Sequence, residues 1–247
     1  MRTLVIIPTY DEADNVEWIV GSVLQQQPGV DILIADDGSP DGTGEIADRL
    51  ASEDPRVHVM HREGKQGLGS AYRAGFAWGL ERGYDVLVEM DADGSHRPED
   101  LGRLLEASAQ GADLVLGSRW VPGGGVVNLP CYRRLISRGG TFYAQLMLGI
   151  PIKDATGGYR AFRRATLERL PLDEVASQGY CFQIDMARRV LDADMSIVEV
   201  PITFVERVRG ESKMSGGIVR EALWRVTVWG FERLLPSRRT RPAPVSS

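Results

Sequence analysis

Short runs of mostly apolar residues recur along the first half of the chain, and each is followed by a turn-rich cluster and a longer amphipathic stretch. Such short runs are typical of strands buried in a parallel sheet, and apolar positions at helical spacing indicate helices. The pattern predicts strands at Leu4–Ile7, Ile32–Ala35, Val57–Met60, Val86–Met90 and Leu114–Gly117. It predicts helices at Ala13–Gln26, Gly44–Ser52, Leu68–Glu81 and Pro98–Ala109, with Asp41 as a cap of the second. The alternation indicates an α/β fold with a mainly parallel sheet flanked by helices.

The second half of the chain has a less regular pattern. The run Gly123-Gly124-Gly125 predicts a mobile loop, because glycine restricts the backbone least. No internal repeat and no linker is evident, so we expect one domain over residues 1–235 and a disordered basic tail at 236–247. The remaining elements expected are helices at Arg133–Leu148, Tyr180–Leu191 and Lys213 to about Leu235, and strands at Gly158–Phe162 and Ile197–Val205.

Composition narrows the class of protein. With 43% hydrophobic and 26% charged residues over 247 positions, the chain can form a globular core, which excludes a disordered or fibrous protein. A formal net charge of −5 gives no overall basic field, so we expect no nucleic-acid partner. Two cysteines and three histidines leave no disulfide framework and no zinc cluster in view. The first apolar run is too short for a signal peptide and no run suits a membrane span, so we expect a cytoplasmic protein.

Acidic or turn-rich segments follow three of the predicted strands, at Pro8–Glu12, Asp36–Thr43 and Asp91–Gly94. Ligands of open α/β sheets bind beyond the carboxyl ends of the strands, where such segments meet. The sequence therefore predicts a site at this edge of the sheet.

Asp91 and Asp93 close the fourth predicted strand. Residues two apart in an extended backbone point to the same side, so the two carboxylates can face one point. Carboxylate oxygens suit Mg²⁺ or Mn²⁺, with the remaining positions left to water and a diphosphate. The triplet alone fits a solvated acidic loop equally well, but its position after a buried strand, level with two other acidic strand ends, favours the metal.

The segment Asp36–Thr43 can accept hydrogen bonds from a nucleobase or a ribose through its acidic pair, and its glycines permit a tight turn. A helix-capping turn is the alternative, and it fits Asp41 and Thr43. Tyr10 can cover a nucleobase from the first strand end, although core packing is the commoner role of a single tyrosine.

Because the chain has no overall basic field, a bound phosphate group would have to be neutralised by nearby arginines or lysines. The region between the first strand and helix has no Gly-x-Gly-x-x-Gly pattern, which disfavours a nicotinamide cofactor, and no Walker A pattern occurs. Taken singly, arginines and lysines are more commonly surface charges, but arginine suits bidentate phosphate contacts. The candidates are Arg119 and the late cluster Arg207, Arg209 and Lys213.

Six motifs occur in order along the chain: Pro8-Thr9-Tyr10-Asp11-Glu12, Asp36–Thr43, Gly67-Leu68-Gly69, Met90-Asp91-Ala92-Asp93, Gly117-Ser118-Arg119 and Gly210-Glu211-Ser212-Lys213. Together, from about Arg2 to Phe231, they resemble the polyprenol (dolichol) phosphate mannose synthases, glycosyltransferases of family two, of the type without transmembrane helices. The resemblance implies the Rossmann-like GT-A fold, with a nucleotide-binding half of about 1–120 and an acceptor half of about 121–235. It implies transfer of mannose from GDP-mannose to a polyprenyl monophosphate with inversion, dependent on Mg²⁺ or Mn²⁺.

The resemblance also implies roles for the residues at matching positions. The nucleotide would be held by Pro8, Tyr10, Glu12, Ala35, Asp37, Asp91 and Ala92. The metal would be held by Asp91, Asp93 and Ser95, or by water in place of Ser95, where some relatives carry a glutamine. The diphosphate would be held by Arg119, Arg207 and Lys213, and the catalytic positions would be Asp93, Arg119 and Asp185.

A phosphate acceptor changes what such an enzyme must supply. Its second pKa of about 6 leaves it largely ionised at neutral pH, so a general base is not required. Asp185 lies where many family-two enzymes carry a base, and we expect it to orient rather than to abstract a proton. The anionic acceptor phosphate must approach the anionic donor, so cations are needed on the acceptor side of the site. Arg133, Arg134 and Arg138 can provide them, and an exposed helix face explains the same residues equally well.

A polyprenyl acceptor lies in a bilayer. Ile218–Leu235 carries two apolar stripes beside arginines, so Trp224, Trp229 and Phe231 can reach the membrane interface while one stripe docks on the protein. A C-terminal core helix is the alternative. We expect peripheral association with the cytoplasmic face of a membrane, aided by the arginines of the tail or by a membrane protein partner.

Three other functions fit parts of the pattern. The same fold could take UDP-glucose as donor for the same lipid, because the base-contacting residues do not separate guanine from uracil. A sugar-nucleotide pyrophosphorylase would need a glycine-rich, lysine-bearing loop that Thr9–Asp14 does not provide. A catalytically silent nucleotide-sugar-binding partner of a membrane protein is disfavoured by the intact Asp91/Asp93 pair with Arg119 and Lys213.

Overall fold

The computed structural model describes residues 1–175, 180–206 and 216–234. Its strands are β1 (Thr3–Thr9), β2 (Val30–Asp36), β3 (Val57–His61), β4 (Val86–Glu89), β5 (Leu114–Ser118), β6 (Gly125–Val127), β7 (Arg160–Arg163), β8 (Ile197–Pro201) and β9 (Thr203–Val205). Its α-helices are α1 (Ala13–Gln26), α2 (Thr43–Glu53), α3 (Leu68–Glu81), α4 (Leu101–Ala109), α5 (Cys131–Leu148), α6 (Arg164–Arg169), α7 (Tyr180–Asp192) and α8 (Gly216–Leu234). Short 3₁₀ turns occupy Pro98–Asp100 and Leu172–Glu174.

The strand order brings four carboxyl ends to one edge of the main sheet. The order is β3-β2-β1-β4-β7-β5-β8, and β6 and β9 form a separate two-stranded ribbon. All neighbours in the main sheet are parallel except β7, which runs antiparallel between β4 and β5. The predicted mainly parallel α/β sheet flanked by helices is therefore confirmed. The segments after β1, β2 and β4 meet at one edge, as expected, and the segment after β5 joins them.

Apolar residues pack both faces of the sheet, because successive side chains of a strand point to opposite sides. In β1, Ile6 belongs to the cluster under α3, α5 and α7, whereas Val5 belongs to the cluster under α1, α2 and α4. Helix α3 lies directly on the sheet at Gly75, where a Cβ atom would be 2.6 Å from the Ile6 side chain. This close packing fixes the strand ends that carry the candidate site.

The single strand predicted over Ile197–Val205 was wrong, because this segment forms two strands in different sheets. Strand β8 ends at Pro201, and the chain then leaves the main sheet so that β9 pairs in parallel with β6. Gly125 therefore begins a strand, and the glycine run is not wholly a loop. Gly124 fits only as glycine, because a Cβ there would lie 2.5 Å from the carbonyl oxygen of Ser118.

Smaller differences concern element ends. The fourth predicted helix begins as a 3₁₀ turn before α4, and β7 begins at Arg160 rather than at Gly158. Gly42, not Asp41, is the N-cap residue of α2. Asp41 instead accepts hydrogen bonds from the backbone nitrogens of Thr43 (3.1 Å) and Ala13 (3.0 Å), so it joins the starts of α1 and α2.

The last helix packs against α5 and α7. Val226 is buried, and the hydroxyl groups of Tyr143 and Thr227 lie 2.6 Å apart. Trp229 is partly buried against the core, with the Arg188 guanidinium 4.9 Å from its ring centre, whereas Trp224 and Phe231 are exposed. The predicted helix start at Lys213 and the tail at 236–247 lie outside the described residues. Among the helices that the structure describes, none is long and apolar enough to span a bilayer.

Candidate active site

A cavity of 480 Å³ opens at the edge of the sheet where β1, β2, β4 and β5 end, and it extends to the space between α5, α7 and α8. Its sheet end is polar, with Tyr10, Glu12, Asp37, Lys65, Asp91, Asp93, Ser95, His96, Arg119 and Arg133. Its helix end is mostly apolar, with Leu129, Ile136, Tyr143, Ile184, Leu223 and Val226. One cavity thus joins a charged region to an apolar region.

The loop after β4 presents two carboxylates to the cavity. Asp91 Oδ1 accepts a hydrogen bond from the hydroxyl of Tyr72 at 3.3 Å, and Asp93 Oδ1 accepts one from the backbone nitrogen of Ser95 at 3.0 Å. Gly94, between Asp93 and Ser95, has a φ of +75°, a conformation that suits glycine in the tight turn. The loop therefore brings the predicted pair to one place, with Ser95 buried beside it.

The donor set of this loop fits a divalent cation. Asp91 and Asp93 both line the cavity, and their oxygens are the hard ligands that Mg²⁺ and Mn²⁺ prefer. Within the described parts of the chain, no group of three His, Cys, Asp or Glu side chains could hold a metal. The protein would therefore supply two carboxylates, and Ser95, water or ligand oxygens would complete the shell.

Two buried ionisable residues lie under this loop. Glu89 in β4 and Arg160 in β7 are paired across the sheet, and both are fully buried. Burial raises the pKa of Glu89 to about 8, although the Arg160 guanidinium and the amide of Gln183 oppose the shift. Arg160 also donates to the carbonyl oxygens of Ala155, Gly157 and Gln183. The pattern did not single out this pair, although a glutamate inside an apolar run was a signal.

The residues expected to bind the nucleotide lie together with one exception. Pro8, Tyr10, Glu12, Asp37, Asp91 and Ala92 line the cavity. Ala35 is fully buried in β2 and is not part of the described lining. The two residues of the acidic pair have different roles. Asp37 lines the cavity, whereas Asp36 stabilises the turn, because its Oδ1 accepts hydrogen bonds from Thr9 Oγ1 at 3.0 Å and from the hydroxyl of Ser39.

Asp37 is fixed by residues of the loop after β3. Arg62 forms an ion pair with it, and the backbone nitrogen of Gln66 donates to Oδ2 at 3.3 Å. Lys65 of the same loop lies with its Nζ 4.4 Å from the ring centre of Tyr10. The loop that leads into Gly67 and α3 thus closes the side of the cavity on which Tyr10 and Asp37 lie.

Arg119 occupies the junction between β5 and α5. Its guanidinium donates to both carboxylate oxygens of Asp154, at 2.6 and 2.7 Å. Its Nη2 also lies 3.1 Å from the hydroxyls of Ser137 and Thr156. Asp154 is fully buried.

The structure brings only Arg133 of the three predicted acceptor-side arginines to the cavity. Arg133 lines it and forms an ion pair with Glu206. Arg134 and Arg138 are exposed and are not part of the described lining, in agreement with the alternative of an exposed helix face. The Arg138 guanidinium lies 5.5 Å from the ring centre of Trp120. Arg207, Arg209 and Lys213 lie outside the described residues.

Asp185 does not join the cavity lining that the structure describes. It is buried in α7 and accepts hydrogen bonds from Arg188 and Arg189 of the same helix, at 2.9 and 3.0 Å. Gln183 and Ile184 line the cavity from this helix instead. The predicted catalytic position of Asp185 is therefore turned towards two arginines.

Comparison with known proteins agrees with this architecture. Residues 4–170 match the model of Glycosyl transferase family 2. The chain belongs to this family.

Two curated relatives of this family 2 glycosyltransferase are similar over nearly their whole length. A polyprenol monophosphomannose synthase of Mycolicibacterium smegmatis is 58% identical over 96% of the chain and 90% of the relative. An undecaprenyl-phosphate mannosyltransferase of Micrococcus luteus is 57% identical over 98% of the chain and 99% of the relative. The resemblance to polyprenol phosphate mannose synthases is therefore confirmed.

Solved structures share the fold of this glycosyltransferase at low sequence identity. A glucosyl-3-phosphoglycerate synthase of Mycobacterium tuberculosis, in complex with Mn²⁺, UDP and glucosyl-3-phosphoglycerate, has a TM-score of 0.66 at 21% identity, over 96% of this chain and 81% of that one. The mannosyltransferase PcManGT of Pyrobaculum calidifontis, in complex with GDP-Man and Mn²⁺, has a TM-score of 0.59 at 20% identity, over 98% and 66%. Since one neighbour holds UDP and the other GDP-Man, likeness of fold does not select the base.

Proposed function

We propose that this glycosyltransferase transfers mannose from GDP-mannose to a polyprenyl monophosphate, with inversion at the anomeric carbon. The observation that carries the proposal is the continuity of one cavity from Asp91 and Asp93 to the apolar side chains of α5 and α8. A nucleotide sugar suits the first end, and a lipid phosphate suits the second. The names of the two curated relatives, a polyprenol monophosphomannose synthase and an undecaprenyl-phosphate mannosyltransferase, support the same pair of substrates.

The donor would lie across the strand ends of a nucleotide-binding half of about 1–120. Tyr10 and Asp37 would hold the guanosine, and Asp91 and Asp93 would hold Mg²⁺ or Mn²⁺. A divalent cation there would neutralise the charge that develops on the leaving diphosphate. Mn²⁺ in both structural neighbours supports a divalent metal. The proposed diphosphate cations are Arg119, Arg207 and Lys213.

The chemical step is a displacement at carbon. An oxygen of the acceptor phosphate attacks the anomeric carbon from the face opposite GDP, and the bond to the GDP oxygen breaks with its electron pair leaving on GDP. The acceptor phosphate, with a second pKa of about 6, is already largely ionised, so no proton has to be removed. Asp185 is buried outside the described cavity lining, and Arg188 and Arg189 donate to its Oδ1, which supports a step without a base at that position.

The acceptor phosphate would bind in the acceptor half, of about 121–235. Arg133 lines the cavity from α5 and is paired with Glu206. We propose that the acceptor phosphate replaces Glu206 on Arg133, because both ligands are anions and arginine binds phosphate in a bidentate manner. The polyprenyl chain would then extend past Ile136 and Leu223.

Peripheral membrane association would bring the enzyme to this lipid. The α5–α8 face, as we call it, consists of the exposed side chains Tyr132, Leu135, Ile136, Phe142, Leu146, Leu223, Trp224 and Phe231. Helix α5 carries three arginines and no carboxylate. Apolar side chains beside cations suit a bilayer that contains anionic lipid. Because Ile136 and Leu223 also line the cavity, the cavity opens at this face. We propose the cytoplasmic leaflet as its location.

Transfer of radiolabelled mannose tests the proposed function. The protein is incubated with GDP-mannose, a short polyprenyl phosphate and Mn²⁺, with and without EDTA, and with UDP-glucose in a parallel series. We expect labelled lipid from GDP-mannose only, and none with EDTA. Transfer from UDP-glucose alone would support the alternative donor. Nucleotide binding without transfer to lipid would support a silent binding partner.

A further inference from the structure

We infer that His96 is a positioning residue for the metal ligand Asp91, an inference that rests on the proposed metal-dependent transfer. His96 is almost fully buried in the cavity wall, with an exposed fraction of 2%. Its Nδ1 accepts a hydrogen bond from the backbone nitrogen of Asp91 at 3.0 Å. Its Nε2 lies 3.8 Å from Asp91 Oδ2. One ring thus meets both the backbone and the side chain of Asp91.

The carboxylate of Asp91 has a polar group on each side. Because His96 Nδ1 accepts a hydrogen bond, a neutral imidazole carries its proton on Nε2, the nitrogen that lies 3.8 Å from Oδ2. On the other side, the Tyr72 hydroxyl donates to Oδ1 at 3.3 Å. Groups behind a ligating carboxylate fix its rotation and so set its affinity for metal. His96 and Tyr72 together would hold Asp91 ready for the cation.

The imidazole of His96 is itself held in place. Its ring stacks on Tyr159 with centres 4.9 Å apart and an angle of 14°, and it meets Phe204 edge to face at 6.2 Å and 71°. A Cβ on Gly158 would lie 3.4 Å from its Cε1. Since Tyr159 precedes β7 and Phe204 belongs to β9, residues from the acceptor side fix the ring that fixes a donor-side metal ligand.

Two substitutions separate the hydrogen bond from the packing. His96→Phe keeps an aromatic ring between Tyr159 and Phe204 but removes the acceptor, whereas His96→Asn keeps an acceptor near the Nδ1 position and removes the ring. The dissociation constant for Mn²⁺ is measured with saturating GDP from the electron paramagnetic resonance signal of free Mn²⁺. His61→Phe is the matched control, because His61 is exposed and pairs with Asp48.

We expect His96→Phe to weaken Mn²⁺ binding by about 10- to 100-fold, the range for groups behind metal ligands. His96→Asn should stay within about threefold of the unmodified protein, and His61→Phe should not change it. Equal affinity for Mn²⁺ in His96→Phe and the unmodified protein would overturn the inference. A larger loss in His96→Asn than in His96→Phe would overturn it as well, since that result indicates packing alone.

Tyr72→Phe provides a second variant that removes only one hydroxyl group. We expect it to weaken Mn²⁺ binding several-fold. Unchanged binding would refute the positioning of Asp91 by both His96 and Tyr72, and this test remains available if the His96 variants fail to fold. Binding of GDP without metal should be the same in all variants. Failure of this inference can be distinguished from failure of the proposed function. The Mn²⁺ titration needs neither mannose nor lipid, whereas a wrong proposed function would appear as no mannose transfer by the unmodified protein.

Discussion

Arg119 and Asp154 form a bidentate ion pair beside the cavity, directly after the end of β5. Nε lies 2.7 Å from Oδ2 and Nη2 lies 2.6 Å from Oδ1. Asp154 is held in turn by Glu199, whose Oε1 accepts from the Asp154 backbone nitrogen at 2.9 Å. Strand β8, at the edge of the sheet, therefore determines where Arg119 lies.

We expect Asp154→Ala to lower the free energy of unfolding by about 3–5 kcal/mol, because removing one partner of a buried pair leaves the other charge uncompensated. Denaturant unfolding measures the change. Glu168→Gln, which removes an exposed partner of Arg164, is the control and should leave stability nearly unchanged. Similar stabilities for the two variants would contradict the buried role of Asp154.

Asp93→Asn should reduce mannose transfer by about 100-fold or more, because it removes one of two carboxylates that would hold the cation at the leaving diphosphate. Initial rates with GDP-mannose and a short polyprenyl phosphate check this. Asp48→Asn, an exposed acid on α2, serves as the control. Full activity of Asp93→Asn would exclude this carboxylate from the metal site.

Neighbouring arginines on α5 should differ in their effect on the acceptor. Arg133→Gln is expected to raise the KM for a short, detergent-soluble polyprenyl phosphate by about tenfold or more, because a hydrogen bond to a charged group is lost. Arg134→Gln should have little effect, since Arg134 is exposed and outside the described cavity lining. Equal KM values for the two variants would argue against an acceptor site at Arg133.

The α5–α8 face should bind lipid bilayers. We expect the protein to sediment with vesicles that contain anionic lipid, and the double variant Leu135→Glu/Phe142→Glu to bind at least about tenfold more weakly because two carboxylates enter the apolar face. Val198→Glu, at an exposed position of the edge strand β8, is the control. Mannose transfer to a detergent-soluble acceptor should persist in the double variant. Unchanged sedimentation of that variant would place membrane contact elsewhere.

The two cysteines should differ in reactivity. Cys131 is exposed, whereas burial raises the pKa of Cys181 to about 12. Because the thiolate is the reactive form, Cys181 should remain protonated and unreactive as the pH rises from 7 to 9. We expect Ellman's reagent to modify one thiol in the native protein, two after denaturation, and none rapidly in native Cys131→Ser. Rapid modification of two native thiols would show that Cys181 is accessible.

The first half of the fold could be predicted because each strand and helix there has a clear local pattern of apolar residues. The strands around Ile6 and Val88 are continuous apolar runs, and their helices carry regular apolar spacing. The β6–β9 ribbon was missed because strands of three residues have no measurable period, and the pairing of Gly125 with Thr203 depends on the whole topology.

Within the site, the motifs predict charged residues but not the partners of those residues. Arg119 meets Asp154 and Arg133 meets Glu206 across long separations in sequence, and no local pattern reports such pairs. Helical spacing along α5 separates the three arginines. Arg134 and Arg138 are four residues apart and share one helix face, whereas Arg133 lies about 100° from Arg134.

The antiparallel strand β7 has a consequence for how such enzymes can change. Strand β7 lies between β4 and β5 and pairs with both. Residues 160–163, from the acceptor half of the sequence, therefore join the two parts of the sheet. A fragment cut after residue 120 would keep β5 but leave it without a neighbouring strand, and β4 would have a bare edge. The nucleotide-binding half and the acceptor half therefore cannot be exchanged between enzymes as independent folding units. New donors or acceptors must arise by changing loops and single side chains on an undivided sheet.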